Sequence, residues 1–399
     1  MPGTIPEVPR AVLRSNTGTF SHLSGGAIGL QGKALPSGMT DRPAPEDASS
    51  DLTPYAQLTP DAVIDALVAA GLDPDGRLLP LNSYENRVFQ VGLSDGGMAV
   101  AKFYRPARWS DEQILEEHRF ALDLAEADVP AVAPLALQHP AHGHGAELLG
   151  MPPTLAVWQA AGPQGSARHR YSVSPRRGGR APELDDPEVL QWLGRLMARL
   201  HVVGRQTLFD HRPTLSVEQL GRSAWRWLRD HGDLPDPQRA VWLAAAEQAL
   251  DTAQAVFDRV PDLRLGRVHG DCHLGNVLWT PDEGPHFVDL DDACNGPAVQ
   301  DLWMLLGGHR RERQPALYAL MDGYESITEF DWREWTLIEA LRTLRLIHHS
   351  AWLARRWDDP AFPSAFPWFG QAMYWQQQAD QLRHQIQLME EDLEHPGYG

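Results

Sequence analysis

The stretch Val268-His-Gly-Asp-Cys-His-Leu-Gly-Asn-Val-Leu-Trp279 decides the fold of this chain. It places Asp271 five residues before Asn276, and Gly270 and Gly275 give the backbone between them the freedom that a tight loop needs. The stretch therefore predicts a polar loop that offers a carboxylate and an amide oxygen to a ligand.

A β-hairpin is predicted directly after this loop. Its first strand covers Val277 to Thr280, and after a turn its second strand covers His286 to Leu290. The returning strand delivers Asp289 and Asp291 back near Asn276. The loop and the hairpin together offer hard oxygen ligands and a free carboxylate, which suits Mg²⁺ when phosphate oxygens complete its coordination.

The loop allows two other interpretations. His269, Cys272 and His273 are possible zinc ligands, but a structural zinc site needs a second pair of ligands at suitable spacing, and none is evident in the sequence. The loop is also readable as a buried turn with satisfied polar side chains. The many polar residues and glycines between two apolar strands weigh against that interpretation.

Lysine usage draws attention to a second segment. The chain has 35 basic residues, of which only Lys33 and Lys102 are lysine. Lys102 lies in the apolar strand predicted over 99–104, where a solvent-facing lysine is the simpler alternative. Glu116 and Glu117 follow on the next predicted helix. A strand lysine that faces a helix glutamate is the ion pair that positions ATP phosphates in protein kinases.

The rest of the chain divides into a strand-rich part and a helical part. We predict a disordered extension over 1–52, because it is rich in Gly, Pro, Ser and Thr without apolar periodicity; Met39 is an alternative start. We predict an N-lobe over 53–170, a hinge or linker within 159–187, and a helical C-lobe over 171–399 that carries the catalytic loop 268–292.

The predicted elements follow apolar periodicity and capping residues. The N-lobe elements are a helix over 59–71, a hairpin over 88–104, a helix that begins at Ser110, and a strand pair over 134–138 and 146–158. The C-lobe helices are predicted over 187–204, 216–230, 236–259, 299–307, 314–326, 333–357 and 371–392.

Composition limits the classes of partner. The net charge of −18 disfavours nucleic acid, because polyanions are repelled. The sequence shows neither an apolar run long enough to cross a membrane nor a secretory leader pattern, so we expect no membrane partner. Two cysteines, Cys272 and Cys294, are too few to staple a chain of 399 residues, which is typical of a cytoplasmic protein with reduced thiols.

The pattern His-Gly-Asp-x-His-x-x-Asn, with a following strand aspartate, a strand lysine and a helix glutamate, resembles the aminoglycoside phosphotransferase-like branch of the protein-kinase fold. Within that branch, longer segments between about 53 and about 380 are similar to bacterial stress response kinases. These segments are Leu81–Val88, Lys102–Pro106, Phe287–Ala293, Asn295–Leu305 and 362–368. The resemblance implies an α+β, protein-kinase-like fold of two lobes.

The resemblance also implies roles for the residues of the loop, the hairpin and the lysine strand. Asp271 and Asp289 would be the catalytic carboxylates, with Asp271 as the base. Asn276 and Asp289 would bind Mg²⁺. Lys102 would contact the ATP phosphates and Glu117 would hold it; Glu117 is preferred to its neighbour in sequence because the spacing that follows fits the family better.

Three further positions are implied by the same resemblance. Ser83 would lie in a loop that covers ATP, although this loop lacks the usual glycines. Asp301 would brace the catalytic loop from the helix behind it. The backbone of Tyr171 to Ser174 would bind adenine. Because Gly270 stands where many protein kinases have arginine, the usual arginine link to a phosphorylated activation loop is absent.

The implied activity is that of a monomeric serine/threonine protein kinase that uses ATP and Mg²⁺ and acts on protein substrates. One alternative is a kinase of the same fold that phosphorylates a small-molecule hydroxyl, since fold does not decide the substrate. Another alternative is a nucleotide-binding pseudokinase scaffold, which the joint presence of Lys102, Asp271, Asn276 and Asp289 disfavours.

Overall fold

The computed structural model describes residues 55–162, 165–280, 284–306 and 310–394, which belong to one unit spanning 51–399. The predicted extension over 1–52 lies outside the described residues. No described helix is both long enough and apolar enough to cross a membrane.

A six-stranded antiparallel sheet forms the small lobe, with strand order β1-β2-β3-β6-β5-β4. The strands are β1 (Pro74–Leu81), β2 (Arg87–Leu93), β3 (Met98–Phe103), β4 (Glu147–Leu149), β5 (Leu155–Gly162) and β6 (Gly165–Pro175). Strand β3 is central, and its Lys102 pairs with Val88 on one side and Ser172 on the other. Pairing on both sides fixes the direction in which each β3 side chain points.

Alternation along β3 sends its residues to two faces. Ala99, Ala101 and Phe103 are buried against helix α1 (Pro60–Ala69), together with Val63 and Leu67 of that helix. The period of two places Lys102 on the opposite face of the sheet. A lysine inside an apolar strand therefore faces away from the small-lobe core, toward the helical lobe.

Both predicted helices of the small lobe form, and both begin at the expected caps. These are α1 (Pro60–Ala69) and α2 (Asp111–Glu126). The Thr59 hydroxyl accepts a hydrogen bond from the Ala62 amide, and Ser110 forms a capping box with Gln113. Such caps satisfy amide groups that the first helical turn leaves without partners.

The large lobe is mostly helical, as predicted. Its helices are α3 (Pro187–Gly204), α4 (Ser223–His231), α5 (Gln238–Asp258), α6 (Val299–Leu305), α7 (Arg310–Glu325), α8 (Ile338–Arg355), α9 (Ala361–Ala365) and α10 (Ala372–Glu394). A π-helical turn at 217–222 precedes α4, and 3₁₀ turns lie at 274–276, 290–292 and 332–337.

Two small antiparallel sheets interrupt the helices and flank the loop of Asp271 and Asn276. One pairs β7 (Gly266–Val268) with β10 (Cys294–Gly296), and the other pairs β8 (Val277–Thr280) with β9 (Gly284–Phe287). The predicted hairpin is therefore present, although its second strand ends before Asp289. Cys272 and Cys294 are both buried and free.

Two predicted segments of the small lobe differ from the structure. The first is the linker, because residues 159–162 form the end of β5 and residues 165–175 form β6. The arginines that suggest a linker alternate with buried residues, because His169, Tyr171 and Val173 face inward. A composition average hides this alternation.

The second is the predicted strand pair. Its strand over 146–158 is divided into β4 and β5, and its strand over 134–138 does not form. The Leu135 amide donates to Val173 O at 2.7 Å and the Leu137 amide donates to Pro153 O at 2.7 Å, but no ladder forms over this stretch. Pro134 lacks an amide donor, which disfavours a paired strand. Strand β1 is present but is not predicted by the sequence, because its residues are mostly exposed and carry little apolar alternation.

Candidate active site

Lys102 of β3 lies among carboxylates at the junction of the two lobes. Its Nζ is 3.7 Å from Glu117 Oε1 on α2, 3.4 Å from Asp289 Oδ1 and 3.1 Å from Asp291 Oδ1. The structure thus brings together the predicted Lys102, Glu117 and Asp289, and adds Asp291. The solvent-facing alternative for Lys102 does not fit, since its side chain is only 16% exposed.

Burial and charge act in opposite directions on this cluster. Burial on its own would lower the pKa of Lys102, but Asp291, Glu117 and Asp289 hold that pKa well above its usual value. Burial raises the pKa of Glu117, and Lys102 opposes the rise. Lys102 therefore stays charged, as the predicted contact with ATP phosphates requires.

The backbone of the predicted catalytic loop is held from behind by α6. Asp301 is fully buried and accepts hydrogen bonds from the amides of His269 and Gly270, each at 2.8 Å. Its Oδ2 also lies 3.1 Å from His201 Nε2. Gly270 has a φ of +82°, and a Cβ there would lie 2.2 Å from Asp292 O, so this position requires glycine.

Asn276 and Asp289 are brought together by the β8–β9 pairing. The Asn276 carbonyl accepts from the Val288 amide at 3.0 Å, which places Asp289 immediately beyond. Asn276 Nδ2 donates to Asp271 O at 2.9 Å, so the amide group is held against the loop. Asp289 adopts a left-handed backbone with φ of 60°, and its side chain is 57% exposed.

Asp271 has a partner that sequence reasoning missed. Arg345 Nη2 on α8 lies 2.6 Å from Asp271 Oδ1, and Asp271 Oδ2 is 3.6 Å from His273 Nε2. Burial raises the pKa of Asp271, and Arg345 is the main group that opposes the rise. Nothing in the local sequence marks Arg345, because arginine is the common cation of this chain.

Asp291 also proves central. Its carboxylate accepts from Asn86 Nδ2 at 3.1 Å and pairs with Lys102 and Arg108. Burial would raise the pKa of Asp291, but Arg108 and Lys102 together hold it below its usual value. The sequence predicts Asp291 near Asn276 but assigns it no role; the only sign of its importance in the sequence is the run of acidic residues after the strand.

The β1–β2 connection, residues 82–86, is the predicted ATP-covering loop. Ser83 lies in it half-buried and, among the described residues, makes no side-chain hydrogen bond. The neighbouring Glu85 is held by the helical lobe, since Trp352 Nε1 and Arg356 Nε each lie 2.6 Å from its Oε2. Arg105 ties the same loop down, because its Nε donates to the Glu85 carbonyl at 3.0 Å.

Arg105 is anchored in turn by a buried ion pair. Its Nη2 lies 2.6 Å from Asp359 Oδ2, and both side chains are less than 10% exposed. Asp359 precedes α9, so this pair joins the small lobe to the helical lobe just before the 362–368 segment that carries part of the family resemblance. Tyr84 packs on Phe366 in that segment, with ring centroids 5.0 Å apart. Side chains from the helical lobe thus fix a loop that contains no glycine.

We expect Asp359→Leu to lower the free energy of unfolding by about 3 kcal/mol, because it removes one partner of a buried charge pair and strands the other. Urea unfolding at neutral pH measures the change. The control is Asp251→Leu, which breaks the exposed pair of Arg222 and Asp251, for which we expect a loss of less than about 1 kcal/mol. Equal losses of unfolding free energy in the two variants would show that the buried Arg105–Asp359 pair stabilises the fold no more than an exposed pair does.

The zinc interpretation finds no support in the described residues, where no three His, Cys, Asp or Glu side chains group as metal ligands. The three side chains in question have separate partners. His269 Nε2 contacts Val288 O at 2.9 Å, Cys272 Sγ faces Met197, and His273 Nδ1 accepts from the Gly275 amide at 2.9 Å.

The segment predicted to bind adenine, Tyr171 to Ser174, is part of strand β6. Its backbone pairs with β3, and the Val173 carbonyl already accepts from the Leu135 amide at 2.7 Å. The chain leaves the sheet at Pro175, so the connection to the helical lobe begins after the predicted segment.

Comparison with known proteins agrees with this geometry. The model of the family described as "Phosphotransferase enzyme family" matches residues 77–338. "Stress response kinase A" of Escherichia coli (strain K12) is 42% identical over 337 residues, which cover 84% of this chain and 95% of that protein. "Serine/threonine protein kinase RdoA" of Salmonella typhimurium is 41% identical with the same coverage.

Solved structures show the same fold at low identity. An amicoumacin kinase in complex with AMP-PNP, Ca²⁺ and its ligand has a TM-score of 0.62 at 18% identity, and covers 83% of this chain and 94% of its own. A spectinomycin phosphotransferase in complex with ADP and spectinomycin has a TM-score of 0.55 at 14% identity, and covers 86% and 99%. The fold is therefore the predicted two-lobe, kinase-like α+β fold. This chain is a phosphotransferase that belongs to the phosphotransferase enzyme family and, within it, to the stress response kinase A family.

Proposed function

We propose that this enzyme transfers the γ-phosphate of ATP, with Mg²⁺, to serine or threonine hydroxyls of proteins. One observation carries the proposal: Lys102, held by Glu117, lies 3.4 Å from Asp289, and Asp289 follows the strand that pairs beside Asn276. A cation for phosphate and oxygen donors for a metal thus lie at one place, next to the loop that carries Asp271. Such an arrangement works by positioning and charge neutralisation, which is how phosphoryl transfer is catalysed.

The residues at this place fit Mg²⁺. Asp289 offers an exposed carboxylate, and the Asn276 amide is oriented by its hydrogen bond to Asp271 O. Mg²⁺ prefers a site that offers few protein oxygens and leaves room for phosphate oxygens to complete its coordination. When bound, Mg²⁺ would neutralise charge on the ATP phosphates. Asn276 and Asp289 would hold it.

Asp271 is the proposed base. Its Oδ1 pairs with Arg345, and its Oδ2, which lies 3.6 Å from His273 Nε2, is the oxygen proposed to accept the proton of an acceptor hydroxyl. A carboxylate in that position orients the hydroxyl and accepts its proton as the bond to phosphorus forms. Ser83 and its loop would cover the phosphates, and adenine would lie where β6 ends, next to Pro175 rather than along 171–174.

A protein acceptor is favoured by the relatives at 41–42% identity, whose names are those of stress response and serine/threonine protein kinases. The solved structures named for small-molecule acceptors are only 14–18% identical and support the fold alone. The shared phosphate-binding residues serve both kinds of acceptor, so the acceptor is decided by experiment.

With labelled ATP, Mg²⁺ and a generic basic protein, we expect label on serine or threonine of the acceptor or of the enzyme itself. Phosphoamino-acid analysis identifies the labelled residue, and Asp271→Asn is the negative control. A parallel panel offers amino alcohols and aminoglycosides at equal concentration. Rapid use of a small alcohol, without transfer to any protein, would replace the proposal with the small-molecule alternative.

A further inference from the structure

Glu116 precedes Glu117, the proposed partner of Lys102. Backbone amides of the helical lobe bind the Glu116 carboxylate. Its Oε1 accepts from the amides of Asp210 at 2.7 Å and His211 at 3.1 Å. Its Oε2 accepts from His211 at 3.0 Å and Arg212 at 2.9 Å. Three consecutive amides that converge on one carboxylate form an anion nest, and bonds to a charged acceptor are the stronger kind.

The loop that forms this nest, residues 209–213, is itself fixed. Asn295 of β10 accepts from the Phe209 amide at 2.9 Å and donates to the Phe209 carbonyl at 3.0 Å. The nest is therefore held by hydrogen bonds within the large lobe and does not simply follow helix α2.

A second set of contacts joins α2 to the same loop. Gln113 Nε2 donates to His211 O at 2.9 Å, and Arg212 Nη1 donates to Gln113 O at 3.0 Å. Arg212 is buried; its Nε donates to Ala293 O at 2.6 Å, and its Nη2 donates to Asp291 O. One loop thus binds both α2 and the segment that carries Asp291.

The positions of Glu116 and Glu117 on α2 give this contact a consequence. Consecutive helical residues point about 100° apart, so one glutamate faces the nest while the other faces the sheet. If the nest fixes the rotation and position of α2, it also fixes where Glu117 lies relative to Lys102, at the observed 3.7 Å.

We infer that Glu116 is the positioning residue for the Lys102–Glu117 pair, and that the amides of 210–212 hold α2 in the orientation that phosphoryl transfer needs. The inference rests on the proposed function of that pair. On this inference, contacts within the folded chain fix the orientation of α2, so no phosphorylated segment is required to fix that orientation.

The test compares Glu116→Ala and Glu116→Gln with Glu126→Ala, which removes an exposed carboxylate from the last turn of the same helix. The nest is partly exposed, so water replaces the lost carboxylate and the variants fold. We expect turnover to fall about 10- to 100-fold in Glu116→Ala, because small misplacements of a positioning group are costly in phosphoryl transfer. The glutamine variant keeps one acceptor oxygen and should fall between it and the wild type.

Two readouts separate positioning from mere stability. Amide hydrogen exchange over 113–120 should become about tenfold faster in Glu116→Ala and stay unchanged in Glu126→Ala. In a double-mutant cycle, Glu116→Ala should cost little further turnover once Glu117→Ala is present, because residues that act through one another are not additive.

Additive losses in the cycle, or unchanged exchange over α2, would overturn the inference while leaving the kinase assignment intact. Absence of transfer by the wild-type enzyme to any protein or small alcohol would instead overturn the proposed function. In that case the exchange experiment still decides whether the nest holds α2.

Discussion

Asp271→Asn is expected to lower phosphoryl transfer by about 10²–10⁴-fold, the usual contribution of a general base. Mg²⁺-dependent ATP binding should stay nearly unchanged, because Asp271 pairs with Arg345 and His273. Within the part of the chain that the structure describes, Asp271 makes no contact with Lys102. Arg345 is left without its carboxylate, but its side chain is 36% exposed and water can solvate it. The variant should therefore remain folded.

Asp289→Asn should behave differently. As a residue that would hold Mg²⁺, Asp289 should contribute to nucleotide binding as well as to transfer, because the bound ion would neutralise charge on the ATP phosphates. We expect this variant to lose transfer and to bind ATP with an affinity that no longer depends on Mg²⁺. The left-handed backbone at Asp289 is tolerated by asparagine as well as by aspartate, so the fold should survive.

Calorimetric titration of ATP, with and without Mg²⁺, distinguishes the two variants when it is paired with a turnover assay. Asp251→Asn, at an exposed position of α5, controls for the loss of one negative charge. If Asp271→Asn lost Mg²⁺-dependent binding and Asp289→Asn kept it, the two roles would have to be exchanged.

Lys102→Arg should reduce transfer by about 10²-fold or more, comparable to removal of one preorganised charge-stabilising group. The ammonium of Lys102 lies within 3.1–3.7 Å of carboxylate oxygens from three residues. A planar guanidinium is wider and makes its bonds in a fixed fork, so it cannot take the place of a compact point charge there. The substitution keeps the positive charge, so a loss of phosphoryl transfer would show that the shape of the cationic group matters.

Turnover and ATP affinity of Lys102→Arg are the measurements, and Arg168→Lys is the reverse exchange at a half-exposed position of β6. We expect the control to match the wild type, because exposed ion pairs contribute little. Near-normal turnover in Lys102→Arg would mean that the ammonium does not contact the reacting phosphates.

Several features of the small lobe were predictable because their signals are local. Thr59 and Ser110 mark the starts of α1 and α2, and the Ser-Asp-Gly-Gly turn marks the β2–β3 hairpin. Capping residues and turn glycines act within a few residues of the chain, so their effect can be read without knowing the fold. The scarcity of lysine likewise distinguishes Lys102 from the many arginines of the chain on sequence alone.

Other features depended on contacts between distant segments. The pairing of β5 with β6 could not be predicted because alternating arginines give the stretch the composition of a linker. Long-range strand pairing depends on which face is buried, and composition does not report that.

The sequence by itself determined the loop that carries Asp271 and Asn276, the hairpin that returns to Asp289, and the family to which the chain belongs. Short spacing and glycine placement restrict these segments to few conformations. Only the tertiary structure decided what surrounds them, namely Arg345 beside Asp271, Asp291 beside Lys102, and the amides that bind Glu116. Each joins side chains or amides from separate elements, and such a contact exists only once burial has packed those elements together.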